Sequence, residues 1–247
     1  MSLDTAALTA AFRQLGITQG MILEVHCSLR SFGYVDGGAH AVIAALKNAV
    51  GDDGSIVMPA FKDSLALPLS ERDIQLGIKL KIKLLQGDEE RTGMGIVADT
   101  FRMMPDTLTG EGQFRVSAWG RDAQIHADNW FNHLIASGGS ALLAGVDIYR
   151  MSTMHYAESA LPKEIKDMFR PSQEILEIYP ENEWFVEVWS PPAKPWYTIQ
   201  TKAYELGYIK DMIVGASKCM LVDVCKVVEL YRNALISDPY GLYGLKR

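Results

Sequence analysis

Three short stretches of this 247-residue chain set chemically active side chains at spacings a folded chain can use. The first is Ser152-Thr153-Met154-His155-Tyr156-Ala157-Glu158. Read as a helix capped by Ser152, it puts His155 and Glu158 three residues apart on one face. A carboxylate beside an imidazole raises the imidazole pKa or fixes its tautomer, which is what acid/base catalysis requires. A surface pair with no role would have the same spacing. The second stretch, Ile22 to Gly38, carries an apolar strand into His26, Cys27, Ser28, Arg30 and Ser31, and then into Gly33, Gly37 and Gly38. Neighbouring strand residues point to opposite faces, so His26 and Cys27 do not form a catalytic pair with each other. Cys27 reads as a buried structural cysteine, against the alternative of a cysteine-dependent hydrolase or transferase.

A ligand loop suits the second stretch better. Ser28, Ser31 and the amides from Ser28 to Gly33 are donors at the C-terminal end of a strand, where ligands of open α/β sheets gather. Arg30 offers a bidentate partner for phosphate, and the glycines permit the turns. The competing reading is a glycine-bearing turn with a solvated arginine. The third stretch is Arg91-Thr92-Gly93-Met94-Gly95, which precedes a helix whose first amides favour an anion; a plain helix entry is its alternative. Together the two loops suit a ligand with several phosphates. No Cys-x-x-Cys or His-Glu-x-x-His spacing occurs, so no metal is expected.

The elements that must position these groups follow from periodicity and caps. Asp4 caps a helix over Thr5 to Leu15 that ends at Gly16. Met21 to His26 is a buried strand, Ala39 to Val50 a helix, and Ser55 to Phe61 a second buried strand, an α/β beginning. Ile74 to Leu84 alternates apolar residues with Gln75, Gly77, Lys79, Lys81 and Lys83, which predicts a half-exposed edge strand whose lysines block edge-to-edge association. A lysine stripe that touches an anionic ligand is the alternative. A short helix is expected over Gly95 to Met104, a strand over Arg115 to Trp119, a helix over Trp130 to Ala136 and a buried strand over Ala141 to Val146. Trp184 to Trp189 and Lys218 to Val222 read as strands, and Val224 to Leu235 as a helix. Pro191 to Pro195 is too short to divide domains. The pattern predicts one α/β domain over 1–247 with helices on both faces of a sheet.

Composition sets the bounds. The chain is 48% hydrophobic and 22% charged, as globular proteins are. Its net charge of −6 argues against a nucleic-acid partner and is compatible with a cationic small molecule. Three cysteines at irregular spacing make no disulfide framework, and no long apolar run or basic apolar leader is present. A cytoplasmic setting without a membrane span is the expectation. Oligomeric state is not readable.

The stretches VHCSLRSFGYVDGGAHAVIAAL, GSIVMPAF, RTGMGIVADTFR, VSAWGRDA, ALLAGVD, STMHYAESALP and IVGASKCMLVDVCKVVELY resemble the aminoglycoside 3-N-acetyltransferase family in order and spacing, over nearly the whole chain. The resemblance implies a three-layer α/β/α fold distinct from the GNAT enzymes, a role in antibiotic resistance, and transfer of an acetyl group from acetyl-CoA to an amine of an amino-sugar. It implies that Ser28, Leu29, Arg30, Ser31, Phe32 and Gly33 hold the CoA pyrophosphate and pantetheine, and that Thr92, Gly93, Met94 and Gly95 form a second CoA contact. It puts His155 and Glu158 on the acceptor side. The chain also departs from the family, whose members carry a His-Pro-x-x-Ser stretch with the histidine regarded as the base. Anchored on Ala118-Trp119-Gly120, this chain has Glu111 at that position, Gly112 for the proline and Arg115 for the serine. No histidine lies between His40 and His126, and the loop after Asp122 is short for the family. Candidate replacements are Glu111 with its pKa raised by burial, His155 with Glu158, and His126 or His133. The expected function is acetyl-CoA-dependent N-acetylation of an aminoglycoside or related amino-sugar. The alternative is a homologue that binds CoA or acyl-CoA with its catalysis lost or repurposed.

Overall fold

Two caps start the chain as its composition dictates. The Asp4 carboxylate accepts from the Ala7 amide at 2.8 Å and opens α1 (Thr5–Leu15), which Gly16 ends with φ 121°. The computed structural model describes residues 3–87, 91–188 and 195–246. After α1 come β1 (Ile22–Cys27), α2 (Gly38–Val50), β2 (Ser55–Pro59), β3 (Asp63–Ala66), α3 (Glu71–Gln75), β4 (Leu80–Leu84) and α4 (Ile96–Arg102). Then follow β5 (Leu108–Thr109), β6 (Val116–Gly120), α5 (Ala123–Ala136), β7 (Ser140–Ala144), α6 (Met154–Ala157), α7 (Lys163–Met168), α8 (Gln173–Ile178) and β8 (Trp184–Glu187). The chain closes with α9 (Pro195–Glu205), β9 (Ile209–Val214), β10 (Ser217–Asp223), α10 (Val224–Ser237) and α11 (Pro239–Leu242).

The main sheet has seven strands in the order β5-β6-β2-β1-β7-β10-β9. Strands β2, β1 and β7 are parallel, and β6 and β10 flank them antiparallel. Strand residues alternate between two cores, as the two-residue period requires. Leu23, Val25, Ile56, Leu142 and Cys219 pack with α1, α2 and α4 on one face. Ile22, Leu143, Met220 and Val222 pack with α6, α9 and α10 on the other, where Trp130 of α5 covers Val57 and Val116. The expected sheet between two helical layers is therefore present, and each fully buried Leu or Ile stabilises it by about 1.5–3 kcal/mol. No helix among the described residues is long and apolar enough to cross a membrane.

Ile74 to Leu84 is not a single edge strand. A capping box at Ser70 folds residues 71–75 into α3: the Ser70 amide donates to Asp73 Oδ2 at 2.7 Å and the Asp73 amide donates to Ser70 Oγ at 3.2 Å. Two reciprocal local bonds outweigh the alternating pattern there. The strand begins at Leu80, and β4 is the middle strand of a separate sheet ordered β3-β4-β8. Its lysines guard no edge: Lys81 Nζ donates to Asp73 Oδ2 at 2.6 Å, and Lys83 stands over the Trp184 ring. Strand β9, hydrogen-bonded to β10 through the turn at Gly215, was not expected from the pattern. Trp189 and residues 190–194, placed in a strand and a proline-rich stretch above, lie outside the described residues.

Candidate active site

The chain passes from β1 to β2 on one side and later returns to β7 on the other. The crevice between β1 and β7 is thus a topological switch point, the place where open α/β sheets bind ligands. At the carboxyl ends of these strands the Ser28 amide donates to Ala144 O at 2.9 Å, and the Gly145 amide to Lys218 O at 2.8 Å. At the same edge the Lys62 amide donates to Gln113 O at 2.9 Å, and the Gly93 amide to Asp63 O at 2.6 Å. Residues 28–33, 91–95 and 145–158, separated widely in sequence, therefore share one edge of the sheet.

His155 and Glu158 are paired. His155 Nδ1 lies 2.7 Å from Glu158 Oε2. Ser152 does not cap the turn that carries them; α6 is entered at Thr153, whose side chain makes no cap bond. The other carboxylate oxygen, Glu158 Oε1, accepts from Trp196 Nε1 at 2.9 Å and from the Tyr231 hydroxyl at 3.1 Å. The Trp196 ring also meets the His155 ring edge-on, with centroids 4.8 Å apart. Burial pushes the Glu158 carboxyl up, but hydrogen bonds from His155, Trp196 and Tyr231 outweigh it and hold the group below the usual carboxylate range. Burial, with Glu158 and Tyr243 beside it, pushes the Tyr231 phenol well above its ordinary range, so it stays a proton donor.

This pair opens on a cavity of about 560 Å³. Tyr149, Trp196, Tyr179 and Trp184 form aromatic walls, with Glu181 and Glu187 among the acidic lining groups and Lys166 and Arg170 among the basic ones. Trp196 and Tyr231, 38 and 73 residues after Glu158, are not found by local spacing. Tyr231 sits in the apolar stripe of α10 with Val227, Val228 and Leu235, where an aromatic residue reads simply as core.

The loop segments are more self-contained than expected. Ser31 Oγ donates to Ser28 O at 2.6 Å and lies 2.8 Å from Ser217 Oγ, while Phe32 is buried in the core. A Cβ at Gly145 would lie 1.8 Å from Ser31 Oγ, so this crossing of two loops admits only glycine. The Ser28, Ser31 and Gly33 amides are taken up by Ala144, Ser28 and Arg30 carbonyls. Arg30 is exposed, and its side chain has no partner among the described residues. In the other segment, the Thr92 hydroxyl donates to Asp99 Oδ1 at 2.9 Å and accepts from the Met94 amide at 3.1 Å. A Cβ on Gly93 would meet Ser64 O at 2.6 Å, so that glycine serves the chain's own packing. Leu29 lies in the short turn after Ser28, and Gly95 enters α4 with φ 95°.

Segments 28–33 and 92–95 do not line the cavity, and four further candidates also stand apart from it. Glu111 is exposed and does not line it, so the burial expected of that carboxylate is missing. His126 is fully buried in α5, its ring 4.5 Å from that of His133, and neither lines the cavity. Cys27 is a thiol that burial, with Cys219 beside it, pushes up to about 12, the opposite of a catalytic thiolate.

A family model described as aminoglycoside 3-N-acetyltransferase matches residues 25–235. Aminoglycoside N(3)-acetyltransferase III of Salmonella sp is 26% identical over 90% of this chain and 87% of that one. The SPbeta prophage-derived aminoglycoside N(3')-acetyltransferase-like protein YokD of Bacillus subtilis (strain 168) is 25% identical over 94% and 92%. Among solved structures, AAC-IIIb in a binary complex with CoASH superposes with TM-score 0.71 and 17% identity over 95% of this chain and 97% of its own. A mutant of aminoglycoside acetyltransferase AAC(3)-IVa in complex with apramycin gives TM-score 0.69 and 20% identity over 96% and 94%.

Proposed function

The chain belongs to the aminoglycoside 3-N-acetyltransferase family, and we propose that its His155–Glu158 pair is the acid/base group of an acetyl transfer from acetyl-CoA to an amine of an aminoglycoside or related amino-sugar. The observation that carries this reading is the 2.7 Å His155–Glu158 contact opening on an aromatic cavity at the edge where segments 28–33 and 91–95 also lie. Glu158, kept ionised, accepts from Nδ1 and leaves Nε2 as the nitrogen that takes up a proton.

An acceptor amine reaches the site as an ammonium ion. His155 Nε2 removes one proton, and the freed nitrogen attacks the thioester carbonyl carbon. The attack leaves a second proton on the nitrogen, which passes to solvent as the tetrahedral intermediate collapses; the carbon–sulfur bond breaks, and the proton on Nε2 passes to the departing CoA sulfur. The products are an amide, the CoA thiol and one proton released to solvent. Glu158 balances the imidazolium between the two transfers; such a base is worth about 10²–10⁴-fold in rate. His155 thereby does the work that the family assigns to a histidine whose place is taken here by Glu111. On the donor side, the exposed Arg30 supplies a charge-assisted partner for phosphate. On the acceptor side, the aromatic walls suit sugar rings and cationic groups, and Glu181 and Glu187 favour an ammonium.

Calorimetric titration with acetyl-CoA, followed by thiol release with a panel of aminoglycosides, tests the reading. Micromolar acetyl-CoA binding, and release that His155→Ala abolishes, are the expected results. Absence of acetyl-CoA binding overturns it.

A further inference from the structure

Behind the site lies a carboxylate that the acid/base step does not use. Glu24, in the middle of β1, is fully buried and shares the sheet face that packs against α6. A carboxylate there is costly unless each oxygen finds a partner. Glu24 Oε1 lies 2.7 Å from His26 Nε2, two residues along the same face, and accepts from the Thr153 amide at 3.2 Å. Glu24 Oε2 accepts from the Thr153 hydroxyl. The Ser152 amide lies 3.3 Å from His26 Nε2. Ser152 and Thr153 are themselves buried.

These are the two residues from which α6 springs. That helix is four residues long, too short to hold its own geometry, and it carries His155. The Thr153 hydroxyl, which would ordinarily cap the turn, is given to the central strand instead. Strand β1 is hydrogen-bonded on both sides, to β2 and to β7, and so is a rigid reference. An apolar side chain at position 24 would fill the same core without the cost of a charge, yet it would leave the Thr153 amide and hydroxyl ungripped.

We propose that Glu24, with His26, is a positioning residue for the His155–Glu158 pair: it clamps the backbone of residues 152–153 to the central strand and so fixes where the imidazole stands. This rests on reading that pair as the acid/base group. Thr153→Val, Thr153→Ser and Glu24→Leu are compared in the full-length chain. One measurement is thiol release at saturating acetyl-CoA. The other is NMR of histidine labelled at Cε1, in which the His155 signal is identified among five by its loss in His155→Ala. Thr153→Val is expected to lower kcat by about 10²-fold, the cost of a misplacement of about 1 Å, and to leave the KM for acetyl-CoA within about twofold. It should also move the His155 signal, while Thr153→Ser, which keeps the hydroxyl, restores both. Glu24→Leu should follow Thr153→Val; if it does not fold, the threonine pair decides. Wild-type kcat with an unmoved His155 signal in Thr153→Val overturns the proposal, as does an equal loss in Thr153→Ser. If the wild-type protein releases no thiol with any acceptor, the enzymatic reading fails by itself. The His155 signal still decides the clamp: moved in Thr153→Val supports it, unmoved overturns it.

Discussion

Glu158→Gln is the sharpest test of the acid/base pair, because the geometry dictates which way the amide must face. Trp196 Nε1 and the Tyr231 hydroxyl both donate to one carboxylate oxygen, and His155 Nδ1 meets the other. Tryptophan can only donate. The glutamine carbonyl is therefore drawn to Trp196 and Tyr231, and its NH2 is left facing Nδ1. The imidazole must then accept at Nδ1 and carry its hydrogen on Nε2, the tautomer that takes no proton from the acceptor. The expected loss in kcat is the value of a general base, about 10²–10⁴-fold, or about 3–5 kcal/mol of barrier. The KM for acetyl-CoA should hardly change. Glu158→Ala gives the contrasting pattern. It frees the ring to choose either tautomer, so it should cost less rate than Gln. It takes the shared carboxylate from Trp196 and Tyr231, which keep only the Trp196 Nε1–Tyr231 and Tyr231–Tyr243 hydrogen bonds, so it should cost more stability, about 1–3 kcal/mol in all. Thiol release and thermal melts of the two variants read both effects. If Glu158→Gln retains wild-type kcat, or Glu158→Ala proves the slower enzyme and the more stable fold, the tautomer argument is wrong.

Arg30→Ala should raise the KM for acetyl-CoA by about tenfold or more, the value of a charge-assisted hydrogen bond, with kcat nearly unchanged; equal affinity in a calorimetric titration would remove Arg30 from the donor side. Cys27, its thiol pushed up to about 12 by burial and by Cys219, should resist iodoacetamide at neutral pH, and Cys27→Ala should keep its activity. Mass spectrometry showing rapid labelling of the native protein would contradict this. His126 is pushed down to about 4, by burial first and then by His133. Its folded pKa lies below the unfolded value of about 6.5, so the unfolded chain takes up the proton first. Stability is then lost as pH falls from about 6.5 toward 4 and is flat above. His126→Leu should flatten that part of a pH–melting profile, and an unchanged slope would count against the buried neutral imidazole.

His155 and Glu158 are legible in the sequence because three residues along one turn of helix is a local relation. The same holds for α1 and α2, whose caps and apolar spacing lie within their own segments. Trp196 and Tyr231 are not legible, since their hydrogen bonds to Glu158 depend on the packing of α9 and α10 against α6. Glu111 misleads for a related reason. A family position is inherited through alignment, whereas burial is set by neighbours that the alignment does not describe. The lysine-bearing segment misleads because a capping box is worth more to five residues than alternation is to eleven. Thr92 and Ser31 show a further limit: hydroxyls beside glycines read as open to a ligand, yet their partners lie on Asp99 and Ser217.

The three-stranded sheet β3-β4-β8 shares no ladder with the seven-stranded one, and β8 forms one wall of the cavity. The wall formed by Trp184, Phe185 and Glu187 thus stands on a ladder other than the one that holds β1 and β7. Substitutions at Trp184, Phe185 or Glu187 change the size, stacking and charge that a substrate meets, while the elements bearing His155, Arg30 and the switch-point crevice keep their own hydrogen bonds. Acceptor range and chemical competence can therefore diverge at different rates, so a lineage can change what it modifies without first losing the ability to modify anything.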